Sequence, residues 1–305
     1  SLMESNCYLA EDLYNMLKLH VLQWVHLVFS YTSIILCIYT CCKYINKSLF
    51  ESATKELVIA VYAFCIIHAT SIGTVQVFHL VSRYSAIVPC DAQIPKRFCI
   101  LRLVVSSTVP GFCILHIGIT AQRIQSTFGC CLWKQKFTAR SFIIAYSCIF
   151  GYLAFHNEPM DGLSAYCTSF TKSTETVMML NLFVMVVSDV MNFVATLGLW
   201  WYNVAKLKKE RKECIVNKTF HRIQCIYSIK QFLPVTVIHT VSYIVMFSKF
   251  AILLQIINRI ETNQVMPYYC LLAPLILLIL IRLGRFERNT ALRGHTDPEK
   301  REENK

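Results

Sequence analysis

The chain has 305 residues, 55% of them hydrophobic and 16% charged, with 30 Lys and Arg against 18 Asp and Glu and a formal net charge of +12. Soluble domains carry about a quarter charged residues and fewer apolar ones, so this composition excludes an ordinary water-soluble domain. In a soluble protein such positive charge would suggest nucleic acid; here the basic residues flank apolar stretches, where they meet anionic lipid and inner partners, and nucleic-acid binding is set aside.

A bilayer's hydrocarbon core is about 30 Å thick, and an α-helix crosses it in about 20 mostly apolar residues. Seven stretches meet or approach that length: 19–42, 57–81, 99–121, 141–156, 177–201, 232–257 and 265–281. The fourth is the weakest, being short and stopped by Asn157-Glu158-Pro159. The expectation is an all-α membrane protein, a seven-transmembrane helix bundle. Residues 1–18 contain Glu4, Glu11 and Asp12 and lack the basic start and apolar run of a cleavable signal peptide, so the first span is expected to serve as the insertion signal. Residues 19–285 then form the transmembrane domain and 286–305 a tail whose polar end, from about Arg293, is expected to be disordered.

Lys and Arg are retained on the cytoplasmic side during insertion. With the amino terminus outside, the four inner segments hold 22 of the 30 basic residues, while the outer segments hold only Lys18, Arg83, Lys96, Arg97, Lys172 and Arg259. The asymmetry predicts an extracellular amino terminus and a cytosolic carboxyl terminus. Two glycosylation sequons, Asn46-Lys47-Ser48 and Asn217-Lys218-Thr219, fall in inner loops and are expected to stay bare.

Most of the 15 cysteines lie inside spans, where a thiol behaves as a small hydrophobe; Cys37, Cys65, Cys113, Cys148 and Cys270 read as packing residues. Cys7, Cys90, Cys99 and Cys167 fall on the outer, oxidising side. Four cysteines allow three pairings, and sequence does not select among them. The favoured pair is Cys99 with Cys167, which fastens the third span to the loop after the fourth, with Cys7 and Cys90 as a second bridge. Cys41-Cys42 and Cys130-Cys131 sit at inner boundaries; interfacial packing is preferred there over palmitoylation. No clustered His/Cys set points to a metal, and no cofactor is expected.

Polar groups are costly in hydrocarbon and usually face the bundle interior. On the fifth span Asn181, Met185, Ser188/Asp189, Asn192 and Thr196 recur at spacings of three or four; on the sixth Thr236, His239/Thr240 and Tyr243 share a face. Gln23, His26, Ser30 and Ser33 do likewise on the first, and His68, Ser71, Gln76 and His79 on the second. Such stripes commonly serve only to hydrogen-bond helix to helix. Asp189 differs as the one acid inside any span, so Asp189, Asn192, His239 and Tyr243 are the candidate ligand or bundle-interior residues. Arg102 and Lys249 stand within spans near the outer surface, where snorkelling is preferred over a role in holding an anionic or carbonyl-bearing ligand. Pro110, Pro234 and Pro274 mark places where helices bend.

Lys206, Lys208, Lys209, Arg211 and Lys212 continue from the fifth span, and Arg222 and Lys230 approach the sixth. Charge retention and lipid headgroups account for such a cluster; a docking surface for a cytosolic partner is the sharper reading. The segment Thr120-Ala121-Gln122-Arg123-Ile124-Gln125-Ser126-Thr127 resembles the Glu-Arg-x-x-Ala-Thr segment that ends the third helix of nematode serpentine chemoreceptors of class alpha and the related alpha-beta class. Phe50-Glu51-Ser52-Ala53-Thr54-Lys55, Gly151-Tyr152, Glu158-Pro159 before Cys167, Phe220-His221-Arg222-Ile223-Gln224 and Ile281-Arg282-Leu283-Gly284-Arg285 match in the same order. Gln122 stands where the family has an acid, and the last span lacks an Asn-Pro-x-x-Tyr motif. The resemblance runs from Cys7 to about Arg293. It implies a chemosensory receptor of the G-protein-coupled type in the plasma membrane of ciliated sensory neurons, with a small-molecule ligand and a heterotrimeric G protein as partners. Arg123 and the 206–212 basic cluster are then the coupling residues.

A seven-helix ligand-gated cation channel and a transporter are the alternatives. A transporter is expected to show inverted repeats or broken helices around a midplane site, and neither is visible. No paired carboxylates, nucleophile and base, or metal set suggests an enzyme, and catalytic residues are expected to be absent.

Overall fold

The computed structural model describes residues 7, 10, 11, 13–45, 52–128, 162–167, 175–212, 216–253 and 265–296. Six long helices run through them: α1 (Leu17–Thr40), α2 (Ser52–Ser85), α3 (Leu101–Phe128), α4 (Glu175–Lys212), α5 (Val216–Leu253) and α6 (Val265–Thr296). The weak fourth span, 141–156, lies outside the described residues, as do the sequon at Asn46 and the Cys130-Cys131 pair. α1 through α3 therefore correspond to the first three expected spans and α4 through α6 to the last three.

Each helix packs on its neighbour in sequence, and α6 returns to α1, which closes the ring; α3 also reaches across to α5. Polar side chains are buried beside an apolar core that includes Tyr62, Phe112, Leu115 and Leu277, while many large apolar ones face outward. On α1, Gln23, His26, Ser30, Ser33 and Thr40 are buried, while Val21, Trp24, Val28, Tyr31, Ile35 and Ile38 face outward. On α4, Asp189, Asn192, Thr196 and Asn203 point inward and Phe183, Val184, Val187, Met191 and Val194 outward. Apolar side chains lose nothing against lipid tails, whereas polar ones there would lack partners, so the helices turn their polar faces to one another. Among the described residues, six helices are long and apolar enough to cross a membrane.

Most of the helices outrun the spans read from hydropathy, α3 reaching Phe128. α4 continues to Lys212 and α5 begins at Val216, well before the apolar run at residue 232, so the basic segment between them is largely helical. α6 likewise runs past its apolar part to Thr296, and α2 overshoots at both ends. Hydropathy marks where a helix must be buried in lipid; Lys, Arg and Glu are good helix formers, so the backbone bonding carries on into water. Pro110, Pro234 and Pro274 all sit inside helices, in α3, α5 and α6. Beside Pro110, the edge of the Phe64 ring from α2 lies where a side chain on Gly111 would have to go.

One end of the bundle is capped. Between α2 and α3, a two-residue strand β1 (Ile94–Pro95) pairs antiparallel with β2 (Leu163–Ser164). Lys96 donates its backbone N–H to the carbonyl of Gly162 at 3.0 Å, and Gly162 takes φ of 98°, a left-handed conformation that favours glycine. Cys99 is bonded to Cys167 with Cα atoms 5.2 Å apart, and Cys7 to Cys90 with Cα atoms 5.0 Å apart. Val75, Cys99 and Cys167 make a small apolar cluster of their own beneath this cap.

Candidate functional site

The acid singled out on the fifth span sits at the centre of the bundle. Asp189 on α4 is fully buried, and its two carboxylate oxygens take separate partners from α5: Nδ1 of His239 at 2.8 Å and the hydroxyl of Thr240 at 2.5 Å. His239, fully buried itself, stacks on His116 of α3 with ring centroids 4.0 Å apart and planes 16° from parallel. His116 meets the Tyr269 hydroxyl of α6 through Nε2 at 2.8 Å, and Tyr243 donates its hydroxyl proton to the Val109 carbonyl of α3. Asp189, His239 and Tyr243 are thus brought together, with the two rings of α5 4.6 Å apart. Asn192 lies one turn along α4, also buried. α3 and α6 contribute His116 and Tyr269, α4 contributes Asp189 and Asn192, and α5 contributes His239, Thr240 and Tyr243, because the three-and-four spacing places them on inner faces.

His116 and Tyr269 were not among the residues singled out from the sequence. His116 satisfied the criterion that selected Asp189, an ionisable group inside a span, and is buried to 3% exposure. Tyr269 carried no such mark, because a tyrosine in an apolar run reads equally as packing. Arg102 is half-buried in the first turn of α3, about two turns before Val109. The side chain of Lys249 lies outside the described residues, as do those of Arg211 and Lys212.

Arg123 lies near the opposite end of the bundle from the cap. Only 5% exposed, it donates through Nη2 to the Ser228 hydroxyl of α5 at 2.9 Å and lies over the Phe232 ring at 4.7 Å. Its neighbour Gln122 accepts a hydrogen bond from Thr54 of α2 at 2.7 Å, so the amide that replaces the family's acid ties α3 to α2. Arg222 of α5 binds three helices together: Nη1 donates to the Thr127 carbonyl at 3.0 Å and to Asn203 Oδ1 at 2.9 Å, and Nε faces Glu210 at 3.4 Å. Asn203 completes the knot by donating to the Thr127 hydroxyl at 3.0 Å. A cleft lined by Thr54, Gln122, Arg123, Gln224, Cys225 and Ser228, among others, opens beside it. Lys208 and Lys209 are exposed and Lys206 half-buried on the same stretch of α4.

At the capped end, Tyr166 lies flat on His79 of α2, with ring centroids 4.3 Å apart, and its hydroxyl accepts from Gln76 at 3.3 Å. Burial pushes the Tyr166 phenol above its usual range, with the Gln76 bond acting in the opposite sense. The backbone N–H of Cys167 donates to Nε2 of His79 at 3.2 Å. The disulfide to Cys99 therefore holds the loop in place over the polar end of α2.

A bundle with outward-facing apolar surface, buried ionisable groups and a buried arginine tying its helix ends defines a multi-pass membrane protein of the helix-bundle class. The family model described as serpentine type 7TM GPCR chemoreceptor Sra matches residues 4–305, and the chain belongs to that family. A comparison with curated proteins found no match. The family is one of chemoreceptors and not of enzymes, and it accounts for the mostly helical architecture and its apolar spans.

Proposed function

We propose that this protein is a plasma-membrane receptor of ciliated sensory neurons that binds an external small molecule and signals through a heterotrimeric G protein. Its amino terminus lies outside and its carboxyl terminus in the cytosol, with residues 1–18 as the outer segment, 19–285 as the receptor domain and 286–305 as the tail. The observation that carries the reading is Arg123, buried at the end of α3 away from the disulfide cap and held by Ser228 and Phe232 of α5. An arginine so placed is a latch between α3 and α5, and ligand binding that favours a different arrangement of the helices would release it. A ligand shifts such an equilibrium only through unequal affinity for the two states.

The disulfide-bonded cap supports this orientation, because disulfides persist in the oxidising exterior, and the basic stretch 206–212 then faces the cytosol beside Arg123. Asp189, Asn192, His239 and Tyr243 form the interior relay between ligand and latch, while Arg102 and Lys249 sit near the outer surface.

Arg123→Ala is expected to abolish ligand-evoked G-protein activation while surface expression persists, read as second-messenger output against cell-surface labelling. Unchanged signalling removes Arg123 from coupling. An epitope tag on the amino terminus should be labelled on intact cells; protection from the antibody would favour the channel reading, whose orientation is opposite.

A further inference from the structure

From the interior faces of α1 and α2 we infer a binding seam for a small neutral molecule that carries an O–H or N–H donor on an apolar body. This deepens the receptor reading by naming a ligand class and a place for it, apart from the Asp189 cluster.

Gln23, His26 and Ser30 follow one another on α1, and His68 and Gln76 on α2; all five are between 1% and 6% exposed. The two helices are antiparallel and in register: His20 meets Tyr84 at 3.0 Å, and a Cβ added at Gly73 would lie 3.4 Å from that of Ser30. Among the described residues, Gln23 Oε1, His26 Nε2, Ser30 Oγ, His68 Nε2 and Gln76 Oε1 are buried with no hydrogen-bond partner. A single such atom costs about 1–3 kcal/mol, so a row of five on facing helices favours occupants that bring donors to it, an alcohol satisfying one acceptor and water the others.

The chemistry of the row identifies the occupant. Thr108 donates its one hydroxyl proton to the Val105 carbonyl at 2.7 Å, so toward His68 it can only accept, and the 2.7 Å contact requires the proton on His68 Nδ1. His68 Nε2 therefore offers a lone pair. Gln76 spends its amide N–H on Tyr166, which leaves its carbonyl oxygen to accept. Gln23 also presents a carbonyl oxygen, and the Ser30 hydroxyl rotates to suit. The seam is rich in acceptors. Neither α1 nor α2 carries an acid between Leu57 and Ser85 or between Leu17 and Ile45, so nothing there balances a cation, and the donor it takes is neutral. From His68 to Gln76 the α2 backbone rises about 12 Å, so an extended six-carbon alcohol lies within the row. Ile72 and Val75 of α2 and the Phe29 and Tyr268 rings, whose centroids lie 5.2 Å apart, supply apolar surface nearby. Tyr166 joins the seam to the disulfide-held cap through Gln76.

The test uses two isomers of the same formula, 1-hexanol and methyl pentyl ether, of which only the alcohol has a donor. Thermal unfolding of the full-length receptor in lipid nanodiscs is followed with each. A ligand bound only by the folded state raises the midpoint. The alcohol is expected to raise it relative to the ether, and the difference should vanish in Gln23→Leu and in the milder Ser30→Ala, yet remain in Val194→Ala on the outward face of α4. Equal effects of the two isomers on the wild type, as for a seam filled only by water, overturn the inference. So does a difference that survives both seam substitutions. Either failure leaves Arg123-dependent signalling untouched, so the seam and the receptor reading fail separately.

Discussion

Asp189 on α4 and His239 on α5 are 50 positions apart in the chain and meet at 2.8 Å with neither side chain exposed. With Thr240 on the second carboxylate oxygen, the acid is satisfied from one neighbouring helix. Removing the carboxylate strands two donors at once, and each buried donor left unmade costs about 1–3 kcal/mol. Asp189→Ala should therefore lower the thermal midpoint of the purified receptor sharply. Asp189→Asn keeps an oxygen for the Nδ1–H of His239 and should retain much more of the stability. A larger loss for Asn than for Ala would contradict the assigned bonding.

Arg222 joins the ends of α3, α4 and α5 through Thr127, Asn203 and Glu210. Outward movement of α5 must break all three contacts. Arg222→Gln, which keeps length but loses the charge and the forked donors, should raise ligand-independent second-messenger output several-fold at equal surface expression. Glu210→Gln should have a smaller effect, because the 3.4 Å pair contributes only one of the three ties. A fall in basal output for Arg222→Gln would mean that the residue supports the active arrangement instead.

Gly111 is a steric necessity in the α2–α3 contact. A Cβ at this position would lie 2.2 Å from the Phe64 ring, so Gly111→Ala forces the ring aside and should destabilise the protein by about 1–3 kcal/mol. Phe64→Leu removes the obstructing ring edge, and the double variant is expected to recover much of the loss. A double-mutant cycle in thermal unfolding reads the coupling directly; strict additivity would show that the two side chains do not compete for the same space.

Cys167 holds both the disulfide to Cys99 and, through its backbone N–H, the imidazole of His79. Opening the bridge frees a loop that closes 68 residues of chain and should cost about 2–4 kcal/mol. Cys167→Ser and Cys99→Ser should reduce surface expression to the same degree, and combining them should add little. Peptide mapping without reductant should recover Cys99 joined to Cys167 and Cys7 joined to Cys90; any other pairing would overturn the arrangement of the cap.

The polar stripes on α1, α4 and α5 were legible because helical periodicity alone decides which residues share a face. Asp189, Asn192, His239 and Tyr243 are therefore expected on the interior from spacing alone. What periodicity does not carry is the relative rotation and depth of two helices. His116 and Tyr269 joined the set only when α3 and α6 were seen beside α5, and Arg222 became a tie once the helices were found to extend past their apolar runs. Hydropathy stops at the lipid boundary, while backbone hydrogen bonding continues into the basic segments.

Composition, the lengths of the apolar runs and the placement of Lys and Arg determined by themselves that this is a helical membrane protein, because transfer to hydrocarbon is a nearly additive property of residues. Which polar group answers which was decided by tertiary structure alone. A hydrogen bond needs two atoms within about 3 Å, and only packing sets that distance for residues as far apart in the chain as His116 and Tyr269, or Arg282 and Tyr44, which meet at 2.8 and 3.0 Å.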